Sequence, residues 1–565
     1  MVTDAYQSSN HVAHVYFRQL LDGVPILNGN AAVHVDAQGQ IVAFSSSFQK
    51  APIPPYNASA PSQPAEAFKV IDRLFRHASN SAASTSSHKT RVRRATIDDV
   101  PYATGPVTAA FAYLHLDASR TVPIWAFNLP TLSNYYHIQV AATGERILAL
   151  SSWTYNAQNS TDPMGPLCAP KSGMPCPASA PGTKDLTCTL YMTTVGNNVY
   201  AQENWINRTM STQRENLTLA GDRPSGGPSL TFDFPFNASA EPLENQNAST
   251  TNLFYLINYM HDLFYAYGFD EAAGNFQEFN FDRGGLGGDA LIADSLDTGG
   301  ENNADMTVPP DGERPRLRVH LYNYTQPDRD AAFANDVVVH EYTHGLTARL
   351  TGGPSNVDCL VQDEDLGLAE GWSDFVALWL QAAAHTIEEN AANTTRNATV
   401  GNRLRLYDYS TDTTYNPTNY SLVNDAYWRD AHRLGMIWAM MLYEMYWELV
   451  DNYGFTPDLT SADTTKGNTL ALQLVVDGLK LQPCRPTFIS ARDAILLADR
   501  LSTDGLHQCA IWRAFARRGL GVNAGPIMAF NRSATDAESS TVASDAVPEE
   551  CADSAGASSS ATSAR

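Results

Sequence analysis

At 565 residues, with 43% hydrophobic and 17% charged side chains, the chain has the composition of a folded protein and is too long for a single compact core. Asp and Glu total 60 against 37 Lys and Arg, and the formal charge of −23 excludes the basic footprint of a nucleic-acid binder. No run of about 18 apolar residues occurs: the best stretch, Gly435 to Val450, is broken by Glu444 and Glu448, so it reads as a buried helix and not a membrane span.

The opening MVTDAYQSSN lacks the basic, apolar and small-residue regions of an export signal. Three other features point to export, with the true start missing from this sequence. Asn-x-Ser/Thr acceptors recur along the chain, at Asn57, Asn159, Asn207, Asn216, Asn237, Asn247, Asn323, Asn393, Asn397, Asn419 and Asn531. The 7 cysteines are widely spaced without a CxxC pair, which suits disulfides better than zinc. Cys168, Cys176 and Cys188 cluster, Cys484 and Cys509 flank a helical stretch, and the odd count leaves at least one thiol free or paired with another chain. Finally, Arg91-Val92-Arg93-Arg94 has the form of a processing site, although a solvated basic loop has the same composition.

Residues 1–155 read as an α+β module. Short alternating strands at 32–35 and 40–44 flank the turn Asp36-Ala37-Gln38-Gly39. Ser62-Gln63-Pro64 opens a helix with the apolar stripe Ala67, Val70, Ile71 and Leu74, and 79–87 is a polar linker. A second hairpin, 136–141 with 146–150, turns at Thr143-Gly144. The module holds no catalytic cluster and suits a folding or inhibitory segment. Residues 156–350 are rich in Gly, Pro, Asn and aromatics, with a helix near 251–267, and end in a helical segment at 331–350. Residues 351–530 carry further helical periodicity at 367–385, 430–452 and 490–518, and 531–565 is a Ser/Ala-rich tail expected to be disordered.

The chemistry concentrates in His340-Glu341-Tyr342-Thr343-His344. On a helix, positions 340 and 344 lie one turn apart on one face, so two imidazoles reach one metal while the Glu341 carboxylate reaches the water beside it. Val339, Thr343, Leu346 and Leu350 form a different stripe. A catalytic zinc takes three protein ligands and keeps a fourth position open. Downstream, Leu368-Ala369-Glu370-Gly371-Trp372-Ser373-Asp374 opens another helix, on which Glu370 supplies a third ligand and Asp374 accepts the second N–H of a ligating imidazole. The bland alternatives are satisfied helix histidines and a polar helix face. Gly284-Gly285-Leu286-Gly287-Gly288 lacks the Lys-Ser/Thr of a phosphate loop and reads as a turn, and the stripe Met436, Met440, Met441, Met445 reads as core.

The run HEYTHGLTARLTGGP followed by EGWSDF resembles the fungalysins, secreted fungal relatives of thermolysin, as does the 26-residue separation of Glu370 from His344. Segments 254–277, 283–294, 301–312, 481–499 and 511–524 resemble the same family, and GVPILNGNAAVHV onward resembles its inhibitory propeptide more loosely. The resemblance implies a propeptide followed by a two-lobed thermolysin-like peptidase, β-rich then helical, with one catalytic Zn2+ in the cleft between the lobes. It implies that Asn303 and Ala304 hydrogen-bond substrate backbone, though Asp305-Met306 stand where aromatic or Asn residues are usual. His432 resembles the histidine that stabilises the oxyanion, with Asp430 or Asp425 as its orienting carboxylate; the assisting tyrosine has no assignable counterpart. The expected partners are protein or peptide substrates, cut before a bulky apolar residue, and the chain's own propeptide, in a secreted monomer without nucleic acid or membrane. Scattered Asp and Asn permit Ca2+ but show no EF-hand spacing. The rival readings are a zinc-stabilised binding or inhibitor protein without catalysis, disfavoured because zinc binding alone does not need Glu341, and a hydrolase of non-peptide esters or amides.

Overall fold

In a computed structural model describing residues 1–49, 63–76, 94–117, 120–131, 134–144, 146–158, 192–205, 221–388, 396–400, 405–526 and 543–552, sheets and helices segregate along the chain, the α+β arrangement expected. The linker at 79–87, Arg91 to Arg93, and Cys168, Cys176 and Cys188 lie outside the described residues.

Strands β1 (Val2–Gln7), β2 (Ala13–Leu21), β3 (Val24–Val35) and β4 (Ile41–Ser46) pair antiparallel in succession. The turn between β3 and β4 is where the sequence places it, with the Asp36 carboxylate accepting from the Gln38 and Gln40 amides. Strands β5 (Arg94–Ile97), β6 (Val107–Asp117), β7 (Arg120–Pro130), β8 (Tyr135–Ala141) and β9 (Ile147–Ser152) form a second antiparallel set, and one parallel pairing, Ile26 with Tyr113, joins both into a nine-stranded sheet. Helix α1 (Pro64–Arg76) packs Ala67, Phe68 and Ile71 on Trp125, Phe127, Ile138 and Val140. The buried stripe is therefore rotated from the expected one: Phe68 meets the Phe127 ring, and Leu74 faces solvent.

A second sheet has the order β10 (Thr154–Gln158), β13 (Asn303–Thr307), β14 (Arg316–Tyr322), β12 (Leu291–Glu301), β11 (Val199–Glu203), with β15 (Arg329–Asp330) on β14. Ala293, Ala304, Met306, Leu317 and Val319 join one core with the helices α2 (Gln246–Ala266) and α3 (Asn335–Leu350). The intervening positions carry a buried ion network. Asp305 Oδ1 lies 2.7 Å from Arg318, and Asp305 Oδ2 and Asp297 Oδ1 lie 3.1 and 3.2 Å from the two nitrogens of His320.

Helices α4 (Asp363–Glu388), α5 (Ala431–Tyr453), α6 (Gly467–Leu481), α7 (Phe488–Thr503) and α8 (Gln508–Arg517) follow α3. Helix α6 is not among the expected helices: all its residues are buried, Gln473, Asp477 and Lys480 included, so it has no solvent face opposite an apolar one. The expected 490–518 helix is two, divided where Asp504 and Gly505 take positive φ of 54° and 77°. The expectation of disorder from 531 onward is corrected over 543–552. There α9 (Glu549–Ala552) holds the buried Cys551 in a disulfide with Cys509, and Ser544 N donates to Gly519 O. Composition alone cannot register a single cysteine that tethers a Ser/Ala-rich segment. The remainder of that tail lies outside the described residues. A second disulfide joins Cys359 to Cys484.

Two outcomes follow. The Cys509–Cys551 bridge closes 42 residues, so Cys551→Ala is expected to lower unfolding stability by about 4 kcal/mol at most; an unchanged melt would mean the segment is not held. Burial works against a charged His320, but Asp297 and Asp305 push its pKa up to about 9. Stability from this charge is complete below about pH 6.5 and is lost as pH rises through about 9, on the order of 3 kcal/mol. Denaturant titrations at pH 7 and 10 should show that loss in the parent and not in His320→Gln.

Candidate active site

The whole of α3 from Asp336 to Leu350 is buried, so His340, Glu341 and His344 lie in the interior and not on an exposed face with a separate core stripe behind it. Gly345 lets the helix approach the sheet, since a Cβ there would stand 2.6 Å from the Phe276 ring and 3.0 Å from Met306. A second close approach brings in the remaining groups. Where α4 crosses α5, a Cβ on Gly371 would lie 2.6 Å from Gly435 O, and one on Gly435 would lie 2.6 Å from Glu370 Cβ. Any larger residue at either position would separate the carboxylate of α4 from the first turn of α5.

The result is a set of convergent donors. His340 Nε2 is 3.1 Å from His344 Nε2 and 3.2 Å from Glu370 Oε2, and His344 Nε2 is 3.7 Å from Glu370 Oε1. Three ligands at about 2.0–2.1 Å from a tetrahedral zinc stand about 3.3 Å apart, so these side chains fit that ion without rearrangement. Their charge also suits a cation. Although burial opposes it, His432, His344 and His340 hold the Glu370 carboxyl well below the usual range. Glu341, fully buried, has neither carboxylate oxygen hydrogen-bonded among the described residues, and burial raises its pKa well above normal despite His340. A divalent cation at the neighbouring donors would reverse that and leave a carboxylate fit to act as a base.

Asp374 lies one turn beyond Glu370, with Oδ1 2.8 Å from His340 Nδ1. Burial would raise its pKa, but the Arg405 guanidinium and His340 hold it well below the carboxylate range. Arg405 donates from Nε and Nη2 at 2.6 and 2.8 Å, and the Tyr409 hydroxyl donates at 2.5 Å. Burial would lower His340, yet Asp374 and Glu370 push it up to about 10, whereas burial, opposed by Glu370 but aided by His340, brings His344 down to about 3. His340 would have to lose its Nε2 proton to solvent in order to ligate an ion.

His432 is in the first turn of α5, with Nε2 3.3 Å from Glu370 Oε2, and burial lowers its pKa. Asp430 caps that helix through the His432 and Arg433 amides and stands 3.9 Å from the His432 ring, while Asp425 accepts from the Tyr427 amide. Both expected orienting carboxylates thus cap backbone. Beside His432 and Arg405 a cavity opens between Leu406, Tyr427, Arg433 and Met436. Asn303 and Ala304 begin β13 and pair with Gln158 and Ala157 of β10, and Asn303 Oδ1 is buried without a hydrogen bond among the described residues. The structure therefore gathers His340, Glu341, His344, Glu370, Asp374 and His432, and puts Asn303 and Ala304 on the strand beside α3. Arg405 and Tyr409 were not anticipated: they follow Asp374 by 31 and 35 residues in a loop without periodicity, and no spacing links them to the helix.

Residues 157–524 match the family model of the fungalysin metallopeptidases (M36), and residues 2–48 match the fungalysin/thermolysin propeptide motif. "Extracellular metalloproteinase 2" of Phaeosphaeria nodorum is 37% identical over 546 residues, covering 93% of this chain and 84% of that protein. "Extracellular metalloproteinase 4" of Trichophyton tonsurans is 36% identical over 550 residues, covering 93% and 83%. "Extracellular metalloproteinase mep" of Aspergillus flavus is 35% identical over 554 residues, covering 93% and 84%. With both the catalytic model and the propeptide motif matched along one chain, the protein belongs to the fungalysin metallopeptidase family.

Proposed function

We propose that His340, His344 and Glu370 hold one catalytic zinc, that Glu341 is the general base, and that the propeptide blocks the site by occupying the substrate's edge strand. The family makes the chain a zinc metalloendopeptidase synthesised as a precursor, and its relatives' extracellular character supports secretion. The observation that carries the site assignment is the buried, unbonded Glu341 carboxylate beside three donors at tetrahedral separations.

What the ion supplies when bound is Lewis acidity, polarising the scissile carbonyl and lowering the pKa of water towards about 7. Glu341 takes the proton from the attacking water and delivers it to the leaving nitrogen. Neutral His432 donates a hydrogen bond to the oxyanion, a contribution of about 3 kcal/mol for such a donor. Asp374 fixes His340 as the tautomer with its proton on Nδ1, leaving Nε2 free to ligate, and Arg405 and Tyr409 keep Asp374 ionised and immobile. Asn303 and Ala304 pair with the substrate backbone. The apolar walls of Leu406, Tyr427 and Met436 suit a bulky apolar residue following the scissile bond.

On this reading residues 1–155 are the inhibitory module, 156–350 the β-rich catalytic lobe and 351–530 the helical lobe, with the cleft between the lobes. Support for inhibition comes from register: β10, at the junction of module and lobe, pairs antiparallel with Asn303–Thr307, the ladder an extended substrate needs. One edge of β13 is taken by β14 and the other by β10, so no edge is left for substrate; the uncut chain should be latent, with cleavage within 150–200 releasing activity. Full activity of the uncut chain would contradict inhibition.

Glu341→Gln should bind one zinc per chain and lose about 10²–10⁴-fold in kcat, measured on a quenched peptide after maturation. Arg405→Met should lower zinc affinity about 10–100-fold through His340, measured by competition with a chelator. Undiminished turnover in the first variant would refute the base assignment. Unchanged zinc affinity in the second would remove Arg405 from the account.

A further inference from the structure

The face of the N-terminal sheet that meets the helical region carries a histidine pair. His14 on β2 and His34 on β3 are cross-strand partners, 2% and 1% exposed, with their Nδ1 atoms 2.8 Å apart. His14 Nε2 lies 3.0 Å from Ser8 Oγ. The surroundings are aromatic: Tyr6 stacks on His14, and Tyr16 meets His34 edge-on. On the catalytic side Tyr16 donates to Lys480 O, its ring occupies the space a Cβ on Gly353 would need, and Asn10 reaches Asp477. Val12 enters the catalytic core.

We propose that this histidine pair is an acid-sensitive latch, whose protonation releases the N-terminal strands from the catalytic region and so lifts the propeptide from the site. This rests on the inhibitory reading above.

The argument is one of geometry and charge. A hydrogen bond between two Nδ1 atoms needs one bearing a proton and one bare. Doubly protonated rings would put two N–H groups and two positive charges face to face in a buried contact. The charges facing the pair do not relieve this. From α6 the buried Lys480 ammonium acts on His14 with the same sign, while Asp477 is buried beside Lys480 and 4.0 Å from it. Asp270 interacts with Lys480 and Tyr6, and Asp4 on β1 interacts with Tyr6 and Tyr16. No carboxylate hydrogen-bonds either imidazole among the described residues. Burial lowers both histidines, His34 to about 4, and on His14 the charges of His34 and then Lys480 add to it, outweighing the Lys480 backbone carbonyl, which favours the charged ring. The docked state therefore disfavours protons. Docking is complete above the ordinary histidine value of about 6.5 and weakens as pH falls below it; for His34 alone the loss is about 30-fold between pH 7.5 and 5.

The test uses the full chain, zinc-loaded and carrying Glu341→Gln so that it cannot cut itself. Hydrogen-exchange protection factors of β1–β3, corrected for intrinsic exchange, are compared at pH 7.5 and 5, alone and with His14→Gln/His34→Gln. Protection should fall at least about 30-fold in the first protein and little in the second. Equal protection at both pH values, or the same fall in both proteins, would overturn the latch. Should the double variant fail to fold, His34→Gln alone should still remove most of the His34 share. The inhibitory reading is judged separately, by whether the uncut, catalytically competent chain is latent at pH 7.5. A latch that opens on a fully active chain would sink that reading and leave the pH response standing.

Discussion

The Asp374 carboxylate is fully withdrawn from solvent, and it receives hydrogen bonds from Nε and Nη2 of Arg405 and from the Tyr409 hydroxyl while facing His340 Nδ1. A charge so placed is tolerated only because a bidentate guanidinium compensates it. Once anchored, it dictates the rest. The imidazole of His340 is turned so that Nε2 faces Glu370, and Arg405 extends a second, longer contact of 3.9 Å to Glu370 itself. The same burial that makes an unpaired partner costly makes the orientation stiff, which a metal ligand requires.

Packing delivers these charges to one place. The α4–α5 crossing is tight because glycines face each other across it, and it sets Glu370 against His432, while Gly345 sets α3 against the sheet. Strand β13, between β10 and β14, is held from behind, where Asp305 is locked to Arg318 and His320. The strand proposed to accept substrate is thus fixed by a buried ion network on one side and by apolar packing through Ala304 and Met306 on the other. Of Asp305 and Met306, where the resemblance leads one to expect aromatic or Asn residues, Asp305 is accounted for by that network and Met306 by the core.

Much of the site is legible in the sequence because helix geometry converts spacing into proximity. His340 and His344 are one turn apart, Glu370 and Asp374 likewise, and all four meet. His432 was legible only through family resemblance, since a lone histidine in a helix carries no spacing signal. Arg405 and Tyr409 were not legible, because their role is created by tertiary contact with a loop. The pairing of β10 with β13 was equally invisible: five residues joining two sheets present no period from which a partner could be read. Helix α6 escaped because its polar residues, among them Gln473, Asp477 and Lys480, are buried along with its apolar ones, and the tethered tail because one cysteine holds a segment of tail-like composition.

The central claim is that catalysis depends on one ion held by His340, His344 and Glu370. Its most direct test is to strip the matured protein with a zinc chelator, measure cleavage of a quenched peptide library, and resupply zinc in increments. The account predicts that activity disappears and returns in proportion to zinc, reaching its plateau at one ion per chain. Cleavage that survives complete removal of metal would contradict it.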